Sequence, residues 1–142
     1  MNDHINRTLQ YVQFLGRRFG KDDIKSVILL ILIDLRIPSG RDGSYYLRRL
    51  IERNCLDPSM NCMKDLYQAV APGVSYSSME QLLRGVISSG WNNGSAEKWN
   101  LYFPADENGK RRKPSNAQFV TEIARIVELW QGASEEVSYE EA

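Results

Sequence analysis

The segment APGVSYSSMEQLLRGVISSGW, residues 71–91, decides how this sequence folds. Ser77 and Glu80 have the spacing of a capping box, in which two side chains satisfy each other's free backbone N–H groups at the start of a helix. The apolar residues that follow keep the period of an α-helix. We therefore predict a helix over residues 78–89.

This predicted helix has one apolar side and one polar side. Its apolar residues recur at steps of three and four, the spacing of a single buried stripe. They are Met79, Leu82, Leu83, Val86 and Ile87. The opposite side carries Ser78, Gln81, Arg84 and Ser88. Every side chain of this polar side can form hydrogen bonds, so the side suits either solvent or a polar ligand.

The residues upstream fit the spacing of a helix-turn-helix unit. Small Ala69 would let two helices approach closely, and Gly73 would permit a tight turn between them. Apolar residues follow where such units need contacts: Val74, Met79 and Leu83. In that geometry the second helix lies in the major groove of DNA and its first residues face base edges, here Ser78, Gln81 and Arg84. A capped amphipathic helix after a glycine turn is equally compatible with a protein that binds no DNA, so spacing alone leaves both interpretations open.

The rest of the chain predicts an all-α fold, a compact bundle of about six helices. The other helices are expected near residues 5–19, 24–35, 45–51, 63–70 and 115–130. The segment WNLYF, residues 99–103, is expected to be extended. We divide the chain into an N-terminal extra helix at 1–21, one domain at 22–132 and an acidic disordered tail at 133–142.

Charge is distributed unevenly along the 142 residues. The formal net charge is zero, but the tail SEEVSYEEA holds four glutamates and no base, which leaves 18 basic against 14 acidic residues in the preceding body. A cationic body is compatible with a polyanionic partner, because Lys and Arg neutralise phosphates. The longest apolar run, VILLILI at residues 27–33, is far below the roughly 20 residues that span a bilayer. We expect a cytoplasmic protein that has no membrane contact.

Features of an enzyme or of a metal site are lacking in the sequence. His4 is the one histidine, and neither a phosphate-binding GxxxxGK loop nor a GxGxxG motif occurs. Cys55 and Cys62 are expected to be reduced, half-buried side chains, because no secretion signal accompanies them. We therefore predict no catalytic residues, no metal and no cofactor.

A basic loop precedes the last predicted helix. GKRRKPSN, residues 109–116, supplies four cations next to a helix N-terminus, where free N–H groups and the helix dipole also attract phosphate. Residues predicted to contact the DNA backbone or to lie at a helix start are Ser75, Tyr76, Ser77, Lys110, Arg111, Arg112, Lys113, Ser115 and Asn116. A solvated loop that only aids solubility is the alternative. Ser115 and Gln118 also have capping-box spacing, and the aromatic residues Trp91, Trp99, Tyr102 and Phe103 are expected in the core.

Three segments together carry a family resemblance: RIPSGRDGSYYLRRLI at 36–51, YSSMEQLLRGVISSGW at 76–91 and KPSNAQFVTEIARIV at 113–127. Their order and separations resemble those of the C-terminal effector domain of the sporulation stage-zero master response regulator (Spo-zero-A). The resemblance implies a helical domain that binds A·T-rich promoter boxes, contacts RNA polymerase and occupies adjacent boxes as a pair. It places the base-contacting positions on Ser78, Gln81 and Arg84, with Ser77 and Glu80 at the helix start.

Two departures from that family bear on function. Arginines are usual in the family where this chain has Ser78 and Gln81, so the preferred box or the affinity is expected to differ. Because only about twenty residues precede the effector-like region in this sequence, we expect no receiver domain, and the first helix is expected to serve as a packing or dimerising element instead. The sequence thus favours a sequence-specific transcriptional regulator. The alternative is a module or antagonist that binds a full-length regulator or RNA polymerase but not DNA.

Overall fold

A computed structural model describes residues 3–133, and these fold into seven α-helices without a strand. The helices are α1 (Asp3–Leu15), α2 (Ile24–Asp34), α3 (Asp42–Leu56), α4 (Met63–Val70), α5 (Tyr76–Asn93), α6 (Ala96–Tyr102) and α7 (Asn116–Gly132). The all-α prediction is confirmed, and the helix count is one higher than expected. The predicted acidic tail lies outside the described residues, except for Ala133 at the end of α7.

Side-chain caps define where several helices begin. The capping box of Ser115 and Gln118 is present in full at the start of α7, as the spacing predicted. The predicted start of α5 was wrong, because Ser75 is the N-cap residue and its hydroxyl accepts the backbone N–H of Ser78 at 3.1 Å. Ser77 therefore lies inside the first turn, and α5 is longer at both ends than the predicted 78–89.

The segment expected to be extended is the seventh helix, α6. Ser95 caps it by accepting the backbone N–H of Lys98 at 3.0 Å. Trp99 and Tyr102 are one helical turn apart, and both point into the core. The prediction was wrong because a five-residue aromatic run shows too little periodicity to separate a strand from a short helix.

The core surrounds α7, which packs against α1, α2, α3 and α5. The residues that the periodicity predicted to be buried are all buried, namely Phe119, Ile123, Ile126, Val127 and Trp130. Asn116, Val120 and Ala124 are buried as well. Trp99 and Tyr102 are fully buried, while Trp91 and Phe103 are partly buried against the same core. Burying a large apolar side chain contributes about 1.5–3 kcal/mol, so these aromatic residues stabilise the bundle.

Helix α1 is part of this single core. Its Tyr11 hydroxyl donates to Asp34 Oδ2 at 2.8 Å and accepts from Lys98 Nζ at 2.7 Å. The Tyr102 hydroxyl also donates to Asp34, at 3.2 Å. The packing role predicted for the first helix is thus present, joining α1 to α2 and α6.

Glycine allows α3 to approach α5 closely. Gly43 lies within α3, and a Cβ added to it would be 2.4 Å from the backbone oxygen of Leu82 in α5. The residues expected to shape the turn before α5 do not have that role. Ala69 is exposed, and Gly73 has neither a positive φ nor any atom within 4 Å of the position of a Cβ, so its turn does not require glycine. The close contact that positions α5 is therefore made by α3.

We expect Gly43→Ala to destabilise the protein by about 1–3 kcal/mol, because its methyl group would overpack against a backbone atom. This loss should outweigh the gain of up to about 1 kcal/mol from alanine's helix propensity. Gly73→Ala is the control, with an expected change between zero and a gain of about 1 kcal/mol. Urea unfolding measures both, and equal effects of the two changes would contradict the packing described.

Two free cysteines differ in their surroundings. Cys62 is exposed, and Cys55 is buried with its Sγ donating to the carbonyl of Ala124 at 3.5 Å. Burial, followed by the nearby carboxylates of Glu128 and Glu52, raises the pKa of the Cys55 thiol to about 12. The prediction that both side chains are half-buried was wrong, because one lies in the core and the other at the surface.

At neutral pH we expect a thiol reagent to modify one cysteine per native chain, at Cys62. Cys55 should react only in denaturant, because it is buried and its raised pKa removes the nucleophilic thiolate. Mass spectrometry of peptides after timed alkylation measures this. Modification of both residues at similar rates in the native state would show that α3 and α7 do not cover Cys55.

Candidate nucleic-acid interface

Helix α5 presents a polar side to the surface. Ser78, Gln81 and Arg84, the predicted base-contacting residues, are all exposed. The Ser78 hydroxyl accepts a hydrogen bond from Ser75 at 2.9 Å. The side chains of Gln81 and Arg84 make no hydrogen bond or ion pair with any residue between 3 and 133. Their donors are available to an external acceptor.

The other sides of α5 are fixed by its neighbours. Met79, Leu83, Val86 and Ile87 are buried as predicted, and Leu82 is partly buried. Glu80 does not cap the helix. Its carboxylate accepts hydrogen bonds from the Tyr67 hydroxyl of α4 and from Asn116 Nδ2 of α7, the latter at 3.1 Å. Burial, assisted by this carboxylate, raises the pKa of Tyr67 and keeps its hydroxyl a donor.

The three residues at the start of α5 are also at the surface. Ser75 caps the helix and is exposed. Tyr76 is 52% exposed, and its ring centroid lies 5.2 Å from that of Tyr67. Ser77 is exposed in the first turn. The backbone N–H groups of this turn and the adjoining hydroxyls form a polar helix end that suits an anion.

The four cations of the basic loop have different surroundings. Lys110 is exposed. Arg111 stacks over Trp91, with its Cζ 4.2 Å from the ring centroid. Its Nε and Nη2 are buried and have no hydrogen-bond partner among residues 3–133. Arg112 lies 3.5 Å from Asp106 in an ion pair. Lys113 donates to Ser88 of α5 at 2.6 Å, which places one end of the loop beside α5.

A groove of about 310 Å³ separates α5 from the start of α7. Arg84 and Lys113 line it together with Ser115, the exposed N-cap residue of α7. Asn116 also lines it, but its side chain is 8% exposed and bonded to Glu80, so it holds two helices together. Glu80 lines the groove too, with its carboxylate bonded to Tyr67 and Asn116. The two cations and the helix N-terminus are the groups of this groove that attract phosphate.

Arg41 is a residue of this surface that the sequence did not single out. It precedes α3, and its Nη2 lies 3.6 Å from the position of a Cβ on Gly85, which is exposed in α5. No periodicity or motif signals this contact, because it joins residues far apart in the chain. Arg48 and Arg49 lie elsewhere on α3. Arg48 forms an ion pair with Glu52, and Arg49 donates a hydrogen bond to the Tyr45 hydroxyl.

Between residues 3 and 133, no group of three or more His, Cys, Asp or Glu side chains could hold a metal ion. None of the helices there has the length and hydropathy needed to cross a membrane.

We expect Asn116→Ala to lower the free energy of unfolding by about 1–3 kcal/mol, because it removes two partly buried hydrogen bonds, one to the backbone oxygen of Glu80 and one to its carboxylate. Asn108→Ala, in an exposed loop, is the control and should change stability by less than about 0.5 kcal/mol. Chemical denaturation compares them. A loss no larger than that of the control would mean that the contact between Glu80 and Asn116 does not hold α5 against α7.

No solved structure was found to match the chain. The family model described as sporulation initiation factor Spo0A C terminal matches residues 28–127, which is most of the sequence. The matched segment contains α3 to α6 whole, together with most of α2 and α7. With a helical fold, an exposed polar helix and this match, the chain belongs to the family of Spo0A C-terminal domains, the DNA-binding effector domains of sporulation regulators.

Proposed function

We propose that this protein is a sequence-specific transcriptional regulator that inserts α5 into the major groove of double-stranded DNA. The observation that carries the proposal is the outward polar side of α5, held by buried contacts on its other sides. An α-helix fits the major groove, where each base pair has its own pattern of donors and acceptors. In this proposal α4, residues 71–75 and α5 form the helix-turn-helix unit.

Base contacts are assigned to Ser78, Gln81 and Arg84. The guanidinium of Arg84 can donate two hydrogen bonds to guanine, and the Gln81 amide can form two with adenine. Ser78 can bond to several bases and discriminates little. Because two of the three are neutral, this helix provides less attraction to phosphates than one with arginines at all three positions.

Phosphate contacts are assigned to both ends of the surface. Ser75, Tyr76 and Ser77 at the start of α5 would meet one strand, and Lys110, Lys113 and Ser115 would meet the other. Arg112 joins them if it exchanges Asp106 for a phosphate, since its side chain is 71% exposed. Arg111 and Asn116 have indirect roles, because they pack against Trp91 and Glu80.

The family membership supports DNA as the partner. We extend the proposal to promoter boxes as targets, with RNA polymerase and a second copy on an adjacent box as further partners. The second candidate is a module that binds a protein and not DNA. The observation favouring it is an apolar surface on α2 and α3, where Leu29, Ile33 and Tyr45 are 45%, 57% and 47% exposed. Exposed apolar patches rimmed by polar residues mark protein-binding sites.

Selection of bound duplexes from a random pool tests the two candidates directly. A regulator should enrich a defined box and bind it in a saturable manner at physiological salt. A titration by fluorescence anisotropy then compares that box with a scrambled duplex. Failure to enrich any sequence, together with capture of a regulator or RNA polymerase through α2 and α3, would reject the DNA-binding proposal.

We expect Arg84→Ala to weaken binding to the selected box by about tenfold to a hundredfold, with little change on scrambled DNA, because it removes a base contact. Replacing Lys110 and Lys113 with Ala should weaken binding to both duplexes. It should also reduce the slope of log K against log salt by about two, one per lost phosphate contact.

Lys25→Ala, an exposed lysine at the start of α2 and outside the proposed helix-turn-helix unit, is the control for loss of charge. Salt titrations of all variants on both duplexes separate the two classes. If Arg84→Ala and the double lysine variant showed the same dependence on sequence and salt, these assignments of base and phosphate contacts would be wrong.

A further inference from the structure

Arg41 reaches α5 from a different helix. It is the N-cap residue of α3, but its side chain does not cap the helix. Its backbone carbonyl accepts the N–H groups of Ser44 and Tyr45, both at 3.1 Å. The guanidinium instead extends to α5, where Nη2 lies 3.6 Å from the position of a Cβ on Gly85. The conformation of this side chain is therefore not explained by the start of α3.

The charge of Arg41 is unused within the described structure. No carboxylate in residues 3–133 pairs with it, and its side chain donates no hydrogen bond there. Arg41 and Gly85 are both exposed. A cation held against the surface of a helix, with free donors, is available to an external acceptor.

Helical geometry shows which part of α5 Arg41 covers. At about 100° per residue, Ser78, Gln81 and Gly85 fall within about 60° of one another and form the exposed strip. Leu82 lies on one flank of the strip, where Gly43 of α3 contacts it. Arg84 lies on the other flank, in the groove beside Lys113.

The exposed strip carries no cation of its own. Its members are a serine, a glutamine and a glycine. Arg84 and Lys113 both lie on the α7 side. Arg41 precedes α3, and its guanidinium contacts the strip at Gly85, which lies between Ser78 and Gln81 around the helix axis. Because Gly85 has no side chain, the place that a side chain would fill is open to the guanidinium.

We propose that Arg41 is a base-contacting residue. Its guanidinium passes beside Gly85, where no side chain is in the way, and binds guanine in the major groove. This rests on the proposed insertion of α5. The middle of the exposed strip then faces the floor of the groove, where base edges are, whereas phosphates border the groove at its sides. A guanidinium there can donate two hydrogen bonds to O6 and N7 of guanine.

Selection from a random duplex pool with wild-type and variant chains tests the assignment. Arg41→Ala should lose the preference at one base pair and weaken binding to the selected box by about tenfold, with the other positions unchanged. Arg41→Lys keeps the charge but not the fork of donors, so it should lose the same preference while keeping the salt dependence. Arg53→Ala, at the exposed far end of α3, is the control and should change neither the base preference nor the salt dependence.

Variants at Gly85 test the geometry independently. Gly85→Ala should keep the preference, because a Cβ at 3.6 Å from Nη2 is an ordinary contact. Gly85→Leu would fill the place of the guanidinium and should lose the same base preference as Arg41→Ala. Thermal melting of each variant verifies that the fold is kept.

Several results would overturn the assignment. One is an unchanged selected sequence for Arg41→Ala when Arg84→Ala does change it. Another is a loss of affinity in Arg41→Ala that is equal on all sequences and is absent in Arg41→Lys. That pattern would make Arg41 a phosphate contact. If the wild-type chain enriches no sequence at all, the proposed function itself fails, and the base contact of Arg41 fails with it.

Discussion

The orientation of α5 depends on one carboxylate. Glu80 accepts hydrogen bonds from Tyr67 of α4 and Asn116 of α7, and so joins three helices at a partly buried point. On the opposite flank, Gly43 lets α3 touch the backbone of Leu82. Between these two contacts α5 cannot rotate without breaking a buried hydrogen bond or opening a packed interface. Its polar side is consequently held outward before any ligand arrives.

Preorganisation of this kind matters because α5 itself has little positive charge. Arg84 is its one cation, and the exposed strip is neutral. The additional cations come from neighbouring elements, namely Arg41 before α3 and Lys113 before α7. A helix with arginines along its own face would have this positive charge in any orientation. Here the cations lie together only if α3, α5 and α7 keep their mutual positions, so the positive charge beside α5 depends on the packing of three helices.

Local patterns in the sequence predicted the features that depend on near neighbours. The buried stripe of α7 and the capping box of Ser115 and Gln118 are set within a few residues, and both are present. For Glu80 the local pattern predicts a cap, which is wrong. Its partners, Tyr67 and Asn116, are 13 and 36 residues away, and no local pattern indicates contacts at that separation. The contact of Arg41 with Gly85 has the same cause, since it forms only after α3 packs on α5. The exposure of Ser78, Gln81 and Arg84 followed from periodicity, whereas the cations beside them did not.

The position of α1 bears on how this domain should be delimited. The family match begins at residue 28, inside α2, yet Tyr11 bonds to Asp34 and Gly16 lies against Val27 and Trp130. A fragment trimmed to the matched segment would start part-way along a buried helix, lose the cover over that tryptophan and expose apolar surface prone to aggregation. A fragment for expression or crystallisation should contain the whole hydrophobic core, which includes residues of α1 and so begins upstream of the matched segment.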